Sequence, residues 1–209
     1  MKITDIPADL RFNDHIILCD PCVSRVFEFH KFMQSLCEKP VDPDNAFNEE
    51  DLLLNTKYLI DDIEKFADDA AFTFHIVERQ KNAMVGVANI FQSRCPDGRY
   101  ELSCHIDPKH FNNGYGSMAI MMIRDIALTM LEPIRLEIMT PRHNTAGRKI
   151  AEKAGFELEA TLKNFYPSKQ KECDDAVVYI HSDRHNIAQW PDTPESIFNT
   201  DNTDGKKMH

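Results

Sequence analysis

The chain has 209 residues, 42% of them hydrophobic and 9% aromatic, which suits one ordinary domain able to bury a real core. Its 34 acidic residues against 24 Lys and Arg give a formal net charge of −10. That balance argues against nucleic acid as a partner and mildly favours a cationic small molecule or basic peptide. No stretch reaches the roughly 18 apolar residues of a membrane helix, and residues 1–5 lack the apolar run of a secretory signal, so a soluble cytoplasmic protein with no membrane partner is expected.

No internal repeat is present. Residues 15–18 (His-Ile-Ile-Leu) predict a first strand. The turn after it carries Cys19 and Cys22 at the spacing of a redox or zinc pair, with His30 and Cys37 in range as further ligands. No second Cys-x-x-Cys exists, so two reduced thiols at a strand-to-helix turn are expected, and no metal. Residues 25–37 place Val26, Phe29, Phe32, Met33 and Leu36 at helical spacing. Asn48 is positioned to cap a second helix, whose expected buried stripe is Leu52, Leu53, Thr56, Leu59, Ile60, Ile63 and Phe66.

The pattern then changes to period two. Phe72, Phe74 and Ile76 alternate with Thr73, His75 and Val77, residues 84–91 return, and residues 100–106 form a third strand, an antiparallel meander. A glycine turn follows at 111–116 (Phe-Asn-Asn-Gly-Tyr-Gly), then a helix over 117–131 with Met118, Met122, Ile126 and Met130 on one row and Ala119, Ile123, Ala127 and Leu131 on the next. Residues 134–138 alternate as a strand, Asn144 or Thr145 opens a helix ending at Gly155, and two strands follow at 156–162 and 176–180 with a polar excursion between them. The domain is expected to span 1–184, with a loosely packed tail over 185–209 that Trp190 and Phe198 pin in part.

Gly114 and Gly116 sit between a strand and an amphipathic helix, where glycine lets the backbone approach a ligand and the unpaired N–H groups of the first helical turn bind an anion. Two segments carry a wider resemblance. Residues 101–116 (Glu-Leu-Ser-Cys-His-Ile-Asp-Pro-Lys-His-Phe-Asn-Asn-Gly-Tyr-Gly) and 141–156 (Pro-Arg-His-Asn-Thr-Ala-Gly-Arg-Lys-Ile-Ala-Glu-Lys-Ala-Gly-Phe) resemble the cofactor segment and the Asn-containing helix of the Rim-type branch of the GNAT superfamily. That branch includes enzymes that acetylate the N-termini of ribosomal proteins. The resemblance is coherent over residues 70 to 181 and only topological before that. It implies an α+β fold with a mixed sheet, in which an antiparallel meander leads into a splayed parallel strand pair with flanking helices.

The resemblance also implies an N-acetyltransferase that uses acetyl-CoA and releases coenzyme A. Its pyrophosphate would rest on Phe111, Asn112, Asn113, Gly114, Tyr115, Gly116 and Ser117. Its pantetheine would meet the backbone at His105 and Ile106 and the side chain of Asn144. The acceptor would be a primary amine, on a small molecule or a protein N-terminus, and the protein a monomer or homodimer. Glu101 is the first candidate for general base, matching the acidic residue that starts this strand in the Rim-type pattern, with His105 on the same face as a second. Tyr166 is the remaining candidate acid. A semi-buried, satisfied histidine is the alternative for His105, and packing against the acceptor for Tyr166. The pattern departs from the family where Gly147 replaces a serine proposed as general acid and Ala151 a frequent acid tyrosine. Those losses leave open a retired domain that binds acetyl-CoA as sensor or scaffold. Cys104 is expected to be core.

Overall fold

A computed structural model describes residues 5–36, 49–67, 71–92, 98–167 and 173–181. Its elements run α1 (Ala8–Arg11), β1 (Ile16–Cys19), α2 (Val26–Leu36), α3 (Glu49–Ala67), β2 (Ala71–Glu78), β3 (Ala83–Gln92), β4 (Arg99–Ile106), α4 (Tyr115–Met130), β5 (Arg135–Pro141), α5 (Thr145–Lys153), β6 (Glu157–Pro167) and β7 (Cys173–His181). The strands form one sheet in the order β1-β2-β3-β4-β5-β7-β6. All neighbours are antiparallel except β4 and β5.

The sheet is covered on both faces, so its central strands alternate between two apolar environments rather than between core and water. On one face Phe72, Phe74 and Ile76 of β2, Leu102 of β4 and Leu136 and Ile138 of β5 pack with Ala119, Ile123, Ile126 and Ala127 of α4 in the larger core cluster. On the other, Phe29 and Phe32 of α2, Leu59 of α3 and Met84 and Val87 of β3 form a second cluster. His75 belongs to this face, where it stacks on Phe29 with ring centroids 5.5 Å apart.

Several local expectations shift. The α3 stripe is rotated: Leu59 is buried, whereas Leu53 is 64% and Ile60 42% exposed. Asn55 takes the inward position, donating from Nδ2 to His30 Nδ1 at 2.9 Å. The buried imidazole of His30 thus finds a partner for Nδ1 on this helix. Strand β5 begins one residue late, leaving Ile134 57% exposed, and runs on to Pro141. Strand β6 continues through the segment read as a polar excursion, so Tyr166 lies in a strand, opposite Asp174 of β7. The short helix α1 has no counterpart in the sequence reading. The expected cap Asn48 and the tail with Trp190 and Phe198 lie outside the described residues.

Both ends of α5 form as the sequence suggests. Asn144 Oδ1 accepts from Gly147 N–H at 3.0 Å at the start. At the end Gly155 adopts φ +81, with Phe156 N–H donating to Ala151 C=O at 3.0 Å and Gly155 N–H to Glu152 C=O at 3.1 Å.

Candidate active site

Strands β4 and β5 are paired only at Arg99↔Arg135, Tyr100↔Leu136 and Glu101↔Glu137. Beyond that point β4 stays with β3 as far as Gly86↔Ile106, and β5 stays with β7 as far as Pro141↔Ala176. Each strand follows its other neighbour, and the pair diverges. The gap is a cleft of about 420 Å³ that passes between the strands from one face of the sheet to the other. Its walls include Glu101, Ser103 and His105 of one face, Cys104, Ile138, Thr140 and Asn144 of the other, and Tyr166.

The glycine turn does not line this cleft; it lies at the start of α4. Ile120, which does, is five residues on from Tyr115, about 7.5 Å along the helix. A 3-10 turn at Pro108–His110, capped by Asp107 accepting from Lys109 N–H at 3.0 Å, leads into the turn. Asn112 and Gly114 take positive φ, +63 and +79, and Gly114 is the N-cap residue without a side chain to offer. The N–H groups of Tyr115, Gly116 and Ser117 are therefore the orphan donors of the first turn, with no acid among them to compete for an anion. Asn113 is turned back, donating from Nδ2 to His110 C=O at 3.1 Å. This is a cradle of the right chemistry for a pyrophosphate.

At the other end of the cleft, Glu101 makes no hydrogen bond or ion pair among the described residues. Burial first, and the neighbouring Glu137 carboxylate second, raise its pKa, with Arg99 opposing them. Glu137 is 3% exposed. It is held by Arg99 Nη2 at 3.0 Å and Arg135 Nε at 2.7 Å, and Arg135 reaches on to Glu159 of β6. The two carboxylates thus share the last paired position of the parallel strands, one neutralised and the other left free over the cleft. Tyr166 also has a raised pKa, from burial and then the Glu101 charge, and so keeps its proton. His105 is exposed rather than enclosed, and such burial as its ring has lowers its pKa. Burial drives the Cys104 thiol up to about 12, so it stays protonated and acts as core.

Residues 13–157 match the family model of an acetyltransferase (GNAT) domain. The chain belongs to the GNAT acetyltransferase family. A Bacillus licheniformis protein described as the uncharacterized N-acetyltransferase p20 is 24% identical over 109 residues, 52% of this chain and 60% of its own length. The match therefore spans less than two thirds of that relative. Among solved structures, RimL, a ribosomal L7/L12 alpha-N-protein acetyltransferase in complex with coenzyme A, is 17% identical with a TM-score of 0.67, covering 84% of this chain and 96% of its own. The microcin C7 self-immunity acetyltransferase MccE, in complex with acetyl-CoA and AMP, is 16% identical with a TM-score of 0.66, covering 80% and 92%. At these identities the likeness is one of fold.

In this GNAT domain the two departures from the family pattern have structural causes. A Cβ at Gly147 would lie 2.8 Å from Thr140 Oγ1 and 2.8 Å from Asn144 Nδ2, so glycine is what allows those side chains to meet. Ala151 is wholly buried in the larger core, where a tyrosine ring would have to displace packed side chains. Of the residues singled out from sequence, Glu101, His105, Asn144 and Tyr166 gather around one cleft. Ile106 and residues 111–117 are not among its lining residues. The sequence reading missed Thr140, Glu137 and the Asn89 Nδ2 to Ser103 Oγ bond at 3.1 Å. Running the Leu136/Ile138 alternation two residues further would have flagged Thr140 on the same face. It also missed the anchoring of the β6–β7 hairpin, where His143 pairs with Asp174 and Arg142 N–H donates to Asp175 C=O at 2.8 Å.

The Cys19 and Cys22 thiols are free, and Cys22 Sγ lies 3.1 Å from Ser24 Oγ. His30, a conceivable third ligand, is engaged by Asn55. No group of three or more His, Cys, Asp or Glu side chains suited to a metal occurs among the described residues. No helix among them is long and apolar enough to cross a membrane.

Proposed function

We propose that this chain transfers the acetyl group of acetyl-CoA to a primary amine by direct attack in a ternary complex. The observation that carries this reading is the through-cleft between β4 and β5, with an open helix N-terminus on one face and a free carboxylate on the other. Asn112 to Ser117 would hold the pyrophosphate by backbone N–H groups and the helix dipole. Backbone groups of β4 near His105 and Ile106, on the edge no longer paired with β5, would bind the pantetheine and stabilise developing oxyanion charge. The Asn144 carboxamide would touch the same arm.

The amine then approaches from the Glu101 and Tyr166 side. Glu101 takes the ammonium proton, directly or through water, and His105 is the second base on the same face. Tyr166, which keeps its proton, orients the acceptor or donates to it. Holding the thioester and amine together supplies much of the rate, which suits a site lacking the usual acids.

The acceptor class is drawn from the Rim-type likeness and the acidic balance of the chain: a protein N-terminus or a small cationic amine, bound by a cytoplasmic monomer or homodimer. RimL, as a ribosomal-protein acetyltransferase, supports the first and is distant at 17% identity. The test is release of free coenzyme A thiol from acetyl-CoA across basic and neutral peptides, polyamines and aminoglycosides. Turnover above background with at least one amine is expected. Acetyl-CoA binding without transfer to any member of the panel would overturn the enzyme reading and leave a binding domain.

A further inference from the structure

Thr140 is 6% exposed, yet it lines the cleft. It follows Ile138 by two residues on β5, so its side chain leaves the strand on the face covered by α5. Its Oγ1 accepts from Asn144 Nδ2 at 3.0 Å, while Asn144 Oδ1 is committed to the Gly147 N–H at 3.0 Å. The threonine donates to no group among the described residues, which leaves its proton free at the cleft wall. The other hydroxyls lining the cleft are placed elsewhere: Ser103 beside Asn89 on the opposite face, Tyr166 beside Glu101.

We propose that Thr140 donates a hydrogen bond to the thioester sulfur as it departs, and is therefore a catalytic residue. This rests on the acetyl-transfer reading above. An amine arriving from the Glu101 side meets the carbonyl carbon in the gap between the strands. The sulfur must then lie on the α4/α5 side, because the rest of coenzyme A trails toward the α4 turn. Thr140, Asn144 and Ile150 form the wall it meets there. The nitrogen lone pair forms the C–N bond, the ammonium proton passes to Glu101, and the C–S bond breaks with its electron pair on sulfur. An alcohol is a much weaker acid than a thiol, so Thr140 keeps its proton and stabilises the thiolate by hydrogen bonding. The thiolate takes its proton from solvent. Gly147 is part of the device, because any side chain there would crowd the hydroxyl.

Bound coenzyme A tests this without an acceptor. Its thiol is titrated in the complex by the ultraviolet absorbance of the thiolate, for the wild type, Thr140→Val and Thr140→Ser. A hydrogen bond to a charged group is worth about tenfold in the equilibrium, so the thiol in the valine variant should titrate about one pH unit higher, and serine should restore the wild-type value. With an acceptor, valine should lower kcat about tenfold and leave the KM for acetyl-CoA unchanged, and serine should recover kcat. Should valine not fold, Thr140→Ala is titrated in its place. Identical thiol titration in wild type and the hydroxyl-free variant would overturn the proposal while leaving the acetyltransferase reading intact. Failure of coenzyme A to bind the wild type would instead remove that reading, and this proposal with it.

Discussion

Gly147→Ser would introduce a hydroxyl at the start of α5, and the structure predicts that it harms the protein. The new Cβ would sit 2.8 Å from both Thr140 Oγ1 and Asn144 Nδ2, against ordinary contact at 3.4 Å and beyond. Asn144 is the freer of the two, but its Oδ1 caps α5 through the Gly147 N–H. Swinging it away costs the cap, about 1 kcal/mol. Crowding the buried Thr140 adds about 1–3 kcal/mol of overpacking. Removing a glycine from the first turn of a helix returns only about 0.5 kcal/mol. The net expectation is a loss of about 2–3 kcal/mol, read as a lowered urea midpoint by circular dichroism. Weaker acetyl-CoA binding by calorimetry should accompany it, because the Asn144 wall of the cleft moves. The double variant Thr140→Ala, Gly147→Ser opens the space and should regain part of that stability. Wild-type stability in the single variant, or turnover above wild type, would show that the contact at residue 147 is not what keeps it glycine.

Gly114→Asp should abolish most acetyl-CoA binding in a thermal-shift titration. It sets a negative charge at a helix N-terminus that now offers only N–H donors, while strain at φ +79 adds about 1 kcal/mol of destabilisation; unchanged affinity would mean the cofactor lies elsewhere. Glu101→Gln should remove the acid limb of the kcat/KM profile, which in the wild type falls as pH drops through a pKa raised by burial and by Glu137. Glu137→Gln should move that limb to lower pH, and a limb indifferent to both changes would exclude Glu101 as the base. His75 has no partner for either ring nitrogen among the described residues, and burial, with Arg25 second, lowers its pKa to about 4. The folded state therefore prefers neutral His75, and stability is full above the unfolded value of 6.5 and is lost as pH falls from there toward 4. The loss is about 3 kcal/mol at 1.36 kcal/mol per unit of pKa. His75→Phe, which keeps a ring on Phe29, should lose that share of the pH slope in urea titrations; an unchanged slope would refute it.

What the sequence determined by itself are the features whose cause is local. Alternation at Phe72, Phe74 and Ile76 marks a strand because side chains of a strand point to opposite faces. Asn144 reads as a cap and Gly155 as a helix end because both act within one turn of their own helix. The glycine turn before α4 reads as an anion cradle for the same reason, and Glu101 is marked by its place at the head of β4 in a recognisable segment. The tertiary structure alone decided the rest. The inward place of Asn55 on α3, bonded to His30, is a partnership between helices that no periodicity within α3 contains. The placing of Tyr166 depends on how far β6 stays paired with β7. The free state of Glu101 depends on two arginines taking the charge of Glu137 across the first paired rungs of β4 and β5. Thr140 reads in sequence as one polar residue past the end of a short strand. It becomes a hydroxyl at the cleft wall because β5 runs on to Pro141 while β4 turns away, and because Gly147 on the next helix leaves it room. Register and splay are long-range properties, set by which neighbour each strand follows, and they open a cleft that no local pattern of β4 or β5 contains.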